Sequence, residues 1–181
     1  MHIHTEGPRH STASGTGLSP PRVGAADAGL LLLRLTVGLV MAGHGAQKLF
    51  GMFGGPGLDA TGKGFAALGY EPGVFFAGLT GVSELLGGLG LALGLLTPLA
   101  SAAVFGVMIN AMAVGADHGL WAENGGIELP MTIAVVVLAV AATGPGSLAL
   151  DRFFPWRDGG WGPALFALLA GGIGAIIVLL L

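Results

Sequence analysis

The chain has no cysteine in its 181 residues. That absence excludes disulfide scaffolds, thiolate metal sites, iron–sulfur clusters and any dithiol relay carried by the chain itself. Charge is scarce too: 9% of residues are Asp, Glu, Lys or Arg, against roughly 25% in an ordinary soluble domain. So few charges cannot clothe a water-exposed surface. Only seven residues are Lys or Arg and the net charge is −3, so no basic patch exists to neutralise several phosphates, and nucleic-acid binding is excluded. Abundant instead are hydrophobic residues, at 53%, and glycine, at 35 residues. This balance predicts an all-α integral membrane protein whose limiting solvent is the lipid bilayer.

Residues 1–27 are rich in Ser, Thr, Gly and Pro and read as a disordered tail, since they offer too little apolar surface to offset the entropy of ordering. The apolar run from Ala28 to Ala46 follows a long tail and contains Arg34, so it reads as a retained span rather than a signal peptide. A Gly-rich connection, Gln47 to Glu71, accommodates a short interfacial helix capped by Thr61, with Phe65 and Leu68 on one face. Further spans are expected at Pro72–Leu96, Leu99–Ala116, Leu129–Thr143 and Pro163–Leu181, making five. Residues 153–162, with Phe153, Phe154, Trp156 and Trp161, read as an aromatic belt at the headgroups. Arg9, Arg22, Arg152 and Arg157 fall on the N-terminal side and Lys48 and Lys63 on the other, which predicts a cytoplasmic N-terminus in the inner (plasma) membrane. Pairs such as Gly90 and Gly94 suit close helix packing.

An ionisable group inside hydrocarbon needs a reason, and Arg34 and Glu84 stand out. Counting about 1.5 Å per residue from the expected span ends brings them to nearly the same depth, which predicts a buried Arg34–Glu84 ion pair. Such a pair serves either a polar pocket or helix register alone. A second set gathers at the outer end: His44 and Lys48, four residues apart on one helix face, with Asp117, His118, Glu123 and Glu128. It suits proton transfer or an anionic headgroup. The spacing of His44, His118 and a carboxylate matches no compact metal motif, so no metal is expected. Asn110, midway along the third span, is expected to hydrogen-bond to a partner helix or a ligand. The stretch Gly57 to Lys63 imitates a nucleotide loop, but Gly64 stands where Ser or Thr is needed and no strand precedes it.

Several motifs occur in one order: Arg34-Leu35-x-x-Gly38, His44-Gly45-x-x-Lys48-Leu49-Phe50-Gly51, Glu84-x-x-Gly87-Gly88, and Leu95-Leu96-Thr97-Pro98. Asn124-Gly125-Gly126-x-Glu128-Leu129-Pro130 and Gly144-Pro145-Gly146-Ser147-Leu148-x-Leu150-Asp151 follow. Over residues 28–152 the chain resembles the DoxX family. The resemblance implies a four-helix membrane core, with residues 163–181 as an added fifth helix. It also implies kinship with the small DoxD-type subunits of thiosulfate:quinone oxidoreductase, and with bacterial membrane partners of a secreted superoxide dismutase and a sulfurtransferase. The family's polar positions carry over as Arg34, His44, Lys48, Glu84, Glu128 and Asp151, beside the glycine motifs at Gly87, Gly88, Gly125 and Gly126, with no agreed catalytic residue among them.

The functional expectation is therefore a membrane subunit of a redox complex, with a quinone head held between the first four spans. Glu84 and His44 would exchange protons with it, and Arg34, Lys48, Asn110, His118 and Glu128 would bind or stabilise it. Electrons would come from a protein partner, since the chain has no cysteine and no evident haem site. The alternative is a non-enzymatic anchor or assembly platform whose Gly-rich faces dock a partner helix or a second copy. Transport of a small solute or proton ranks last, because neither internal repeats nor paired broken helices are evident.

Overall fold

The computed structural model describes residues 23–181. Most of the expected N-terminal tail therefore lies outside the described residues, and its last part, from Ala25, is already helical. Six α-helices follow: α1 (Ala25–Phe50), α2 (Gly57–Ala67), α3 (Gly73–Leu93), α4 (Thr97–Gly115), α5 (Glu128–Thr143) and α6 (Trp161–Leu180), with no strand among the described residues. Four of them, α1, α3, α4 and α6, are long and apolar enough to cross a membrane. α5, with 16 residues, is the shorter apolar helix and reaches about 24 Å where a bilayer core is about 30 Å, yet it returns the chain from the far end of α4 to the loop that lies at the start of α1. Leu32, Leu39, Leu86, Val135, Leu169 and Ile173 are exposed on the outward faces of the bundle, a surface that only lipid tails or another apolar face would cover.

Local chemistry sets the helix ends. Asp27, in the first turn of α1, accepts the Gly24 amide at 2.9 Å and the Ser147 amide at 2.7 Å, tying the start of α1 to the loop after α5. Gly51 ends α1 and Gly94 ends α3, both in the left-handed conformation. Gly94 is thus a cap, not half of a packing pair with Gly90, and α3 stops three residues short of the expected Leu96. Thr61 does not cap α2 either. The helix begins earlier, at Gly57, and the Thr61 hydroxyl donates back to the Gly57 carbonyl at 2.7 Å.

α1 and α3 make the most extensive helix pair, and α4 is the centre against which α3, α5 and α6 all pack. A side chain on Gly38 would strike the α3 backbone at Gly88 and Ala92, and one on Gly45 would strike Gly81 and Leu85. Gly88 meets Gly38 and Ala42 from the other side, while Gly87 faces Ala100 and Val104 of α4. Met41, Leu91, Val104, Phe105, Met108 and Val137 fill the space between these backbones. Gly88→Val is therefore expected to prise α1 from α3 and leave little folded protein, read as loss of a monodisperse peak in detergent; Gly29→Val, where nothing lies within 4 Å, is its neutral control.

The buried charges occupy places that the sequence did not predict. Arg34 is 1% exposed, but its partners are the C-terminal end of α3 and the loop after α5. Its Nη1 donates to the Leu91 carbonyl at 3.3 Å and approaches that of Ala92 at 3.5 Å, and Nη2 donates to Leu148 at 3.0 Å. Asp151, fully buried, accepts the Leu96 and Thr97 amides at 2.8 and 2.7 Å, and its own amide donates to the Gly94 carbonyl at 2.8 Å. A cation thus closes the C-terminus of α3 and an anion the N-terminus of α4, the signs each helix dipole favours. The expected Arg34–Glu84 pair does not form. Arg34 stands level with the α3–α4 turn, and from Glu84 to Gly94 the helix rises about 15 Å. Depth counting failed because the ends of α1 and α3 are not level: Arg34 lies against the last turn of α3, so the start of α1 runs on past it.

Candidate functional site

Glu84 sits on the face of α3 turned toward α1, where it is 3% exposed. Its partner is Lys48 in the last turn of α1, whose ammonium lies 2.7 Å from Oε1 and 2.6 Å from Oε2. Both carboxylate oxygens are thereby satisfied, as a charge in a low-dielectric interior requires. Lys48 keeps a quarter of its side-chain surface exposed. The pair forms because α1 and α3 run antiparallel at glycine-set contact distance, which brings Gly45 against Gly81 and Leu85 and so Lys48 beside Glu84.

Beside this pair opens a cavity of about 420 Å³. Its floor is α4, through Ala103, Gly106, Val107, Asn110 and Val114. α3 forms one wall with Leu79, Thr80, Ser83 and Glu84, and α6 forms the other. Phe65, Leu68 and Tyr70 of the α2 region close one end, where Tyr70 packs edge-on to Phe65 with ring centres 5.6 Å apart. Because α3 and α6 both pack on α4 yet hardly touch one another, the cavity is a cleft between two apolar helices. The lining is chiefly apolar, with Lys48, Glu84, Asn110 and three hydroxyl-bearing residues as its polar groups. The Asn110 amide nitrogen donates to the Gly106 carbonyl of its own helix at 3.1 Å, leaving Oδ1 buried without a partner.

His44 is exposed and does not line the cavity. It borders a shallower groove of about 350 Å³ between α1 and α2, with Gln47, Thr61 and Gly64. Lys48, Phe65 and Leu68 belong to both spaces, so the lysine stands between the groove and the cavity. A third and larger groove, about 540 Å³, lies at the opposite end between α4 and α6, lined by Leu96, Pro98, Trp156 and Phe166 with no charged group. Size alone would favour that groove, but it lacks the chemistry of the Lys48 cleft.

Of the residues singled out in the sequence, Lys48, Glu84 and Asn110 converge on one cavity and His44 lies next to it. Arg34 and Asp151 do not converge there, for they hold the far turn. His118 and Glu128 remain in the α4–α5 connection: Glu128 accepts the Ala122 amide at 2.9 Å and His118 lies against Gly125. Gly126 lets that loop close on Gly119 and Leu120. These residues shape a turn and line neither the cavity nor the groove. Among the described residues no three His, Asp or Glu come together as metal ligands.

The family model for DoxX matches residues 29–117. An uncharacterized membrane protein of Mycobacterium tuberculosis is 30% identical over 135 residues, covering 68% of this chain and 79% of that one. The chain belongs to the DoxX family. No solved structure matches it. The DoxX match runs through α1 to α4 and includes Arg34, His44, Lys48, Glu84 and Asn110, so it contributes the ion pair, the groove and the cavity floor. The α6 wall lies beyond that match.

Sequence reading missed Tyr70, Thr80, Ser83 and the α6 wall. All but Tyr70 were legible: Thr80, Ser83 and Glu84 fall at i, i+3 and i+4 and so share a face of α3. Ala167, Gly171 and Ala175 recur every four residues, marking the edge of α6 that is buried.

Proposed function

We propose that this DoxX protein is the membrane subunit of a quinone-linked redox complex, of the thiosulfate:quinone oxidoreductase kind or one serving thiol and oxidative-stress chemistry. The observation that carries this reading is a membrane-level cleft with apolar walls and a fully engaged Lys48–Glu84 pair at its polar end. That combination suits an amphipathic ring with an apolar tail, and about 420 Å³ is room for a ring headgroup with the first part of a tail. A quinone, when bound, accepts electrons and protons together. Glu84 would exchange a proton with a ring oxygen, and Lys48 would hold positive charge against negative charge developing there. Lys48 also borders the His44 groove, and in this reading protons would pass from that groove to Glu84 by way of Lys48. Electrons come from a partner protein. The enclosing bilayer is the inner membrane with the N-terminus cytoplasmic, since Arg152 and Arg157 follow the loop that Asp27 ties to the start of α1, while Lys63 rides on α2 at the other end.

The test is organic extraction of detergent-purified protein with quinone quantified by mass spectrometry. Near-stoichiometric quinone is expected from the wild type, falling about tenfold or more in Lys48→Met/Glu84→Gln, a loss of roughly 1.4 kcal/mol in binding. Wild-type protein free of quinone, even after reconstitution with excess, would sink the proposal and leave a partner anchor as the reading.

A further inference from the structure

The far wall of the cleft is α6, through Gly171, Gly174, Ala175 and Val178, and this helix lies outside the matched DoxX segment. Gly171 and Ala175 are small because α6 lies against α4: a side chain on Gly171 would meet the Ala102 carbonyl at 2.5 Å, and Ala175 is buried. Gly174 differs, for nothing lies within 4 Å of the position its Cβ would take. It lines the cleft yet packs against nothing, and glycine is a poor residue for a helix interior. A side chain added there meets no packed neighbour and stands at the edge of the cleft that Gly174 lines.

We infer that α6 is the selectivity wall of this cleft and that Gly174 keeps open the passage for the apolar tail of a lipid-soluble quinone whose ring lies at Lys48–Glu84. The inference rests on the quinone reading above and adds the part of the ligand that α6 recognises. The α3 wall places the carboxylate and the α6 wall opposite it supplies no polar side chain among its cavity-lining residues, so the two walls divide the ligand into a polar ring and an apolar tail. The cleft lies between two lipid-facing helices, where a tail passes into the bilayer without crossing a polar layer.

Gly172 supplies a matched control, since it also has nothing within 4 Å but does not line the cleft. Wild type, Gly174→Leu and Gly172→Leu, each as the full chain in nanodiscs, are to be titrated with a benzoquinone carrying a decyl tail and with the same head lacking a tail. The expected result is that Gly174→Leu weakens the tailed compound about tenfold, leaves the tailless head within about twofold, and that Gly172→Leu changes neither. Should Gly174→Leu weaken both compounds alike, or neither, or should Gly172→Leu act equally, the inference is overturned while the quinone site stands. Failure of the wild type to bind either compound overturns the quinone reading and this inference with it.

Discussion

Lys48→Met with Glu84 left in place is expected to cost about 3 kcal/mol of folding stability, the lower end of the range for stranding one member of a buried pair. Glu84 is almost fully enclosed, and Lys48 is its sole hydrogen-bonding partner among the described residues. Without the ammonium the carboxylate must take up a proton or draw water into the bundle. The double change Lys48→Met/Glu84→Gln removes both charges while keeping the side-chain volumes, so it should recover most of the loss. Titration of micelle-solubilised protein with SDS, followed by far-UV circular dichroism, measures all three forms. A pair that served only to set the register of α1 on α3 would leave ligand binding untouched in the refolded double variant; the site proposed here requires that binding fall about tenfold or more. A neutral Lys48→Met would mean that the pair is not closed in the membrane as it is in the bundle.

Arg34→Met is expected to be as damaging, at about 3 kcal/mol, through a different mechanism. The guanidinium donates to carbonyls of Leu91 and Leu148 in a buried site, and hydrogen bonds from a charged donor contribute roughly 1.5–3 kcal/mol each. Removing it also leaves the end of α3 without its cation beside the buried Asp151 carboxylate. Asp151→Ala, which uncaps the Leu96 and Thr97 amides, should cost about 1–2 kcal/mol by the ordinary scale for a lost N-cap. Neither variant should empty the cleft, because Glu84 lies about 15 Å along α3 from the turn they hold. Quinone content per folded molecule, measured by extraction at a temperature where the variants remain folded, is therefore expected to equal that of wild type. Folded Arg34→Met protein stripped of quinone would return Arg34 to the binding site and contradict the division drawn here between a structural end and a ligand-binding end of the bundle.

The sequence by itself determined the class of this protein. Its charge poverty and long apolar runs leave a helical membrane bundle as the form that satisfies backbone polar groups in lipid, and the motif order places it in the DoxX family. It also singled out the residues that carry burial cost: Arg34, Glu84 and, as a family position, Asp151. What it did not determine was their pairing. Hydropathy locates the ends of each span but not how one helix is offset along its neighbour, and α1 running on past the end of α3 is enough to match Arg34 with Glu84 wrongly. Only the tertiary structure decided that Lys48 reaches Glu84, because that depends on how far α1 slides along α3, a register fixed by backbone contacts at Gly38, Gly45 and Gly88. The cleft is likewise a tertiary property. No stretch of sequence encodes the gap between α3 and α6; it exists because both helices pack on α4 and not on each other.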